Sequence, residues 1–87
     1  MTQLRMTVQN RRNEKMLLFI EPEAWDIWLL PNEECELVAK KENEEGKLEL
    51  WYTDQGITVF PSRGCGSISV YQKKEVLECG HQRPSEW

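Results

Sequence analysis

Eighty-seven residues make one domain with little surface to bury, and a net charge of −4 conceals a strongly acidic middle. Glu21 to Asp54 holds eleven acids against three lysines, while the residues before it sum to +3 and those after it to +1, so a phosphate backbone is an unfavourable partner despite the small basic cluster Arg5, Arg11, Arg12 and Lys15. The longest apolar run, Met16 to Ile20, is far too short to cross a bilayer, Met1 to Asn10 lacks the apolar stretch of a secretory signal, and three cysteines cannot all pair within one chain; a cytoplasmic protein with reduced thiols and no membrane or nucleic-acid partner is expected.

Along the chain, apolar residues recur at every second position between turn-forming segments, the pattern of β-strands. Leu4, Met6 and Val8 alternate with Arg5, Thr7 and Gln9 as a first strand, and Asn10-Arg11-Arg12-Asn13 reads as a polar turn. The unbroken apolar centre of Met16 to Glu21 predicts a central strand covered on both faces. Pro22 interrupts pairing, and Trp25 to Leu30 resumes it, although one helical turn at Glu23 to Trp28 also fits the period. Pro31-Asn32-Glu33 is a turn with Pro at its second position, leading into a strand from Cys35 to Lys40.

The polar stretch Lys41 to Gly46 predicts a hairpin joining Cys35–Lys40 to Lys47–Thr53. Leu48, Leu50 and Tyr52 then share one face, and Asp54-Gln55-Gly56 suits a type I turn with a G1 bulge before Ile57 and Val59. Pro61 to Gly66 is a loop, Gln72-Lys73-Lys74 is a turn, and strands Ser67–Tyr71 and Glu75–Cys79 complete a meander. The expected fold is all-β: a small antiparallel β-sandwich or partly open barrel of six or seven strands, with a jelly-roll-like arrangement as one form. Residues 1–80 form the domain and residues 81–87 a C-terminal tail.

No catalytic or phosphate-binding motif appears with its required spacing, so no enzymatic activity and no cofactor is expected. Cys65, Cys79 and His81 are candidate zinc ligands, with Cys35 as a fourth, because thiolates and imidazole suit Zn²⁺; against this, Cys65 stands alone and Cys79-Gly80-His81 is tighter than a C-x₂₋₄-C knuckle. Cys65 with His81 is the corresponding nucleophile–base pair, yet the glycines around Cys65 are as well explained by a tight corner, and Cys35 and Cys79 by packing as small hydrophobes. Asp26, Glu33, Glu34 and Glu36 lack EF-hand spacing and read as a solvated acidic edge. Each of the four tryptophans can bury about 150–250 Å², which compensates for a short core. Trp28, Trp51 and Phe60 fall opposite the better apolar stripes and Trp87 ends the tail; these four are the candidate interface or ligand residues. Trp51 lies between Leu50 and Tyr52, so both faces of its strand are apolar, which calls for a second layer or a partner.

The segments Phe19-Ile20-Glu21-Pro22, Leu30-Pro31, Cys35-Glu36-Leu37-Val38 and Gly56-Ile57-Thr58-Val59-Phe60 resemble a group of small uncharacterised bacterial β-domain proteins with an EP…LP…E-x-x-V…DGITVY layout. The resemblance spans about half the chain and implies a small bacterial β-fold. Asp54-Gln55-Gly56 and the Cys65 loop depart from the group's pattern. The functional expectation is a binding or self-association module, most simply a homodimer. The alternatives are a small-molecule or carbohydrate-binding β-domain using its tryptophans, and a zinc or reactive-thiol site.

Overall fold

A computed structural model, describing residues 2–82, contains eight strands: β1 (Thr2–Gln9), β2 (Met16–Ile20), β3 (Trp25–Leu29), β4 (Glu34–Lys41), β5 (Leu48–Tyr52), β6 (Gly56–Pro61), β7 (Cys65–Gln72) and β8 (Glu75–Val76). They form two four-stranded sheets, ordered β1-β4-β7-β8 and β3-β2-β6-β5, so the all-β class and the two-sheet sandwich agree with the alternation in the sequence. The segment Glu23 to Trp28 forms no helix; β3 takes most of it.

Strand pairing departs from a meander. β2 and β6, nearly forty residues apart, pair in parallel with Leu17 opposite Gly56 and Ile20 opposite Val59. β4 and β5 do not form the expected hairpin: β4 lies between β1 and β7 in the first sheet, and β5 pairs with β6 in the second. Between successive strands the chain therefore changes sheet four times, in the segments 10–15, 30–33, 42–47 and 62–64.

Inward rows from both sheets make one core. Leu18, Ile20, Ile27, Leu29, Leu37, Val59, Ile68 and Val70 are all essentially inaccessible to water, and each contributes about 1.5–3 kcal/mol of hydrophobic stabilisation. β2 is central as expected, though its outward Leu17 and Phe19 are only half-buried.

The turns follow local chemistry with one correction. Leu30-Pro31-Asn32-Glu33 closes with Glu33 N–H donating to the Leu30 carbonyl, and Asn32 takes the positive φ of 70° that a type II turn requires at its third residue. Lys73 and Lys74 both adopt positive φ in the two-residue turn between the paired residues Gln72 and Glu75. Between β5 and β6, however, Thr53 and Gly56 exchange both main-chain hydrogen bonds across Asp54-Gln55, so there is no G1 bulge. Gly56 is required for another reason: a Cβ there would overlap the Leu17 carbonyl of the parallel neighbour β2.

The four crossings are hydrogen-bonded to one another in two pairs, at opposite ends of β4. At one end Asn10, the first residue of the expected polar turn, is wholly buried. Its side-chain amide donates to the carbonyls of Glu14 and Leu29, its side-chain oxygen accepts from Arg12 N–H, and its main chain bonds with Glu33 and Asn32. At the other end Glu42 N–H donates to the Gly64 carbonyl, Ser62 N–H to the Lys47 carbonyl, and Lys47 N–H to Ser62 Oγ. The segment Pro61 to Gly66 is thus held in place rather than loose.

Asn10→Ala leaves two carbonyls and one N–H without partners in a water-excluded site, and should lower stability by about 2–4 kcal/mol in urea unfolding. A loss under about 0.5 kcal/mol, the range of ordinary surface changes, would show that Asn10 does not hold the crossings.

Candidate association edge

Only some of the sequence-predicted site residues share a location. Trp28 is 7% exposed, with the Lys15 ammonium 5.4 Å from its ring centre, so it is a packed residue and not an open platform. Trp51 on β5 is 57% exposed and packs obliquely on Phe60 of β6, the ring centres 4.9 Å apart. Trp87 lies outside the described residues.

The thiols and the histidine do not converge. Cys65 starts β7 opposite Lys41 and its Sγ reaches the Lys47 carbonyl at 3.5 Å, whereas Cys79 donates to Asp26 Oδ1 at 3.3 Å beside β3. His81 is bound through its main chain along β3, its carbonyl accepting from Trp28 N–H. Among the described residues no group of three or more His, Cys, Asp or Glu side chains is arranged to hold a metal ion, so the Cys65/Cys79/His81 set is not assembled. The reason is topological: Cys65 stands at the far end of β7 from the β8 turn that leads to Cys79. Asp26 is also not part of a solvated acidic edge, being buried under Cys79.

Cys35 on β4 is buried in the core, opposite Val8 of β1. Burial, reinforced by Glu34 and Glu33, pushes its thiol up from the ordinary 9.0 to about 12, so it remains protonated and inert.

The feature that sets β5 apart is exposure on both faces. Its inward row is Leu48, Leu50 and Tyr52; Leu48 still packs against the core, Leu50 is 48% exposed and Tyr52 is 83% exposed. Cover is thus lost progressively along the strand. Its outward row carries Glu49 and Trp51, the latter against Phe60. Sequence alternation identified the inward row as a core stripe but could not reveal that nothing on the opposing sheet reaches its far end.

β5 is also a sheet edge, and only the β3 edge is covered by further chain among the described residues. Along β3, Gly80 N–H donates to the Asp26 carbonyl and Trp28 N–H to the His81 carbonyl. β8 has two residues and pairs only with Tyr71 and Gln72 of β7, and β1 presents Gln3, Arg5, Thr7 and Gln9 on its outward face, Arg5 ion-paired with Glu36 at 2.8 Å. A separate shallow trough of about 490 Å³ lies on the outer face of the first sheet, lined by Arg5, Glu36, Tyr71 and Lys73 among others, and no tryptophan is among its described lining residues.

Comparison of the chain with protein-family models, curated proteins and solved structures finds no match. Among the described residues no helix is long and apolar enough to cross a membrane.

The Cys35 thiol gives the domain a signed pH response. Below pH 9 the thiol is protonated in folded and unfolded chains alike; above it the unfolded chain loses the proton first, so stability falls as pH rises from 9.0 toward about 12. The slope from this residue is at most about 1.4 kcal/mol per pH unit. Urea unfolding at pH 8.5 and 10.5 should show this loss in the native sequence and a flatter profile in Cys35→Ala; equal slopes would contradict it.

Proposed function

We propose that this protein is a non-enzymatic binding module that self-associates as a homodimer through its β5–β6 edge. The observation that carries this reading is the run Leu50-Trp51-Tyr52, three consecutive large side chains all exposed on an edge strand. A monomer that left them in water would present a template for strand addition, which edge strands otherwise avoid by charge, shortness or cover. Pairing two copies removes both liabilities. The acidic middle of the chain supports a protein partner over nucleic acid, and three unpaired cysteines support a reducing, cytoplasmic setting. We also place the chain with the small bacterial β-domain proteins that its turn motifs resemble.

A second reading is favoured by the trough on the first sheet. Its Arg5, Lys73 and Glu36 side chains could hold a small polar molecule, which would bind without involving Trp51.

Single-strand interfaces lie at the small end of the size range, so a dissociation constant on the order of 10 μM is expected. Sedimentation velocity across that concentration should show a monomer–dimer equilibrium in the native sequence. Trp51→Ser should weaken it by about tenfold or more while the far-ultraviolet circular dichroism is retained, because the indole is mostly in solvent. A native protein that stays monomeric at about twenty times that dissociation constant would overturn the reading.

A further inference from the structure

The ladder between β5 and β6 decides which main-chain groups of β5 remain available. Thr53 and Gly56 exchange hydrogen bonds at 2.7 and 3.2 Å, and Ser62 N–H donates to the Lys47 carbonyl at 2.9 Å. Antiparallel bonding alternates, so Lys47, Glu49, Trp51 and Thr53 direct their main-chain groups to β6, and Leu48, Leu50 and Tyr52 direct theirs away from the sheet. That outward set is symmetric about Leu50.

We propose that a second copy's β5 occupies this edge, antiparallel about a two-fold axis at Leu50, so that two four-stranded sheets become one sheet of eight. The proposal rests on the self-association reading above and specifies its geometry. Leu50 and the partner's Leu50 exchange two main-chain bonds, and Leu48 and Tyr52 exchange two with the partner's Tyr52 and Leu48 at each end, so that every outward group of β5 is paired.

The side chains select this register. On the inward face Leu50 meets the partner's Leu50, and the highly exposed Tyr52 covers the partner's Leu48. On the outward face Glu49 stands opposite the partner's Trp51, which keeps the two Glu49 carboxylates apart. Lys47 precedes the strand and Asp54 follows it, so the antiparallel arrangement sets each Lys47 next to the partner's Asp54. Centring the pair on Glu49 would oppose two carboxylates directly. Centring it on Trp51 would set Leu48 against the Asp54 turn and forfeit the outer bonds, while parallel pairing would align like charges.

Charge reversal and cysteine pairing test this geometry. Lys47→Glu alone and Asp54→Lys alone should each weaken dimerisation by about fivefold, since each change occurs twice at the two-fold, and Lys47→Glu combined with Asp54→Lys should restore it. In a background with Cys65→Ser and Cys79→Ser, Leu50→Cys should cross-link to its own copy under mild oxidation, the Cα separation of a bonded antiparallel pair falling within disulfide range. Leu48→Cys should not, because its copies lie four residues out of register. A dimer that is sensitive to Trp51→Ser, yet shows no charge rescue and no Leu50 cross-link, would overturn this register while leaving self-association standing. A native protein that is monomeric throughout would overturn both.

Discussion

The constraint on which this structure turns is unequal cover: the second sheet is wider than the core beneath it. Four strands of inward side chains need four strands of cover, and the first sheet ends in β8, which is only two residues long. Sealing is complete over the inward row of β2, nearly so over β3, where Trp25 is partly buried, still good over Val59 of β6, and fails along β5, where exposure climbs from Leu48 to Tyr52. A large apolar side chain left in water forgoes about 1.5–3 kcal/mol relative to burial. In a domain of this size that is a substantial part of the whole stability. The exposed β5 face is therefore the unsealed continuation of the core, and its chemistry is the same chemistry.

What fixes this geometry is the way the chain passes between sheets. Each crossing leaves the ladders and must satisfy its main-chain groups elsewhere. Here the crossings do so in pairs: Asn10 joins the first to the second, and Ser62, Glu42 and Gly64 join the third to the fourth. These two polar clasps hold opposite ends of β4, the strand shared by β1 and β7. β5 issues from the second clasp and turns back at Asp54-Gln55 into β6, whose Gly56 is pressed against β2. β5 is thus tied at both ends and along β6, and its outer edge is left open.

Much of this was legible locally and little of it non-locally. Period-two alternation located most strands, because side chains of a pleated strand alternate whatever the strand pairs with, while β2 showed as an unbroken apolar run. Eight strands formed where six or seven were expected, and the last, expected to reach Cys79, ends at Val76. Alternation is silent on partners, however. The hairpin proposed across Lys41–Gly46 failed because a polar, glycine-ended linker serves a sheet crossing as well as a tight turn, and the parallel β2–β6 pairing leaves no trace in either strand. Asn10 read as a turn residue since its five hydrogen bonds go to segments 14, 29 and 33 as well as its neighbours, which only the fold brings near. Cys65, Cys79 and His81 were joined on ligand chemistry alone, and the topology separates them. Trp51 and Phe60 fared better: adjacent strands of a true hairpin are the one non-local relation that a short turn encodes.

The central claim is that β5's outward main chain is open in one copy and closed by another, and amide hydrogen exchange read residue by residue at two protein concentrations addresses it directly. Glu49 and Trp51 amides, bonded to β6, should be protected at both. Leu48, Leu50 and Tyr52 amides should be protected in concentrated solution and lose that protection on dilution. Fast exchange of those three amides at every concentration would contradict the account.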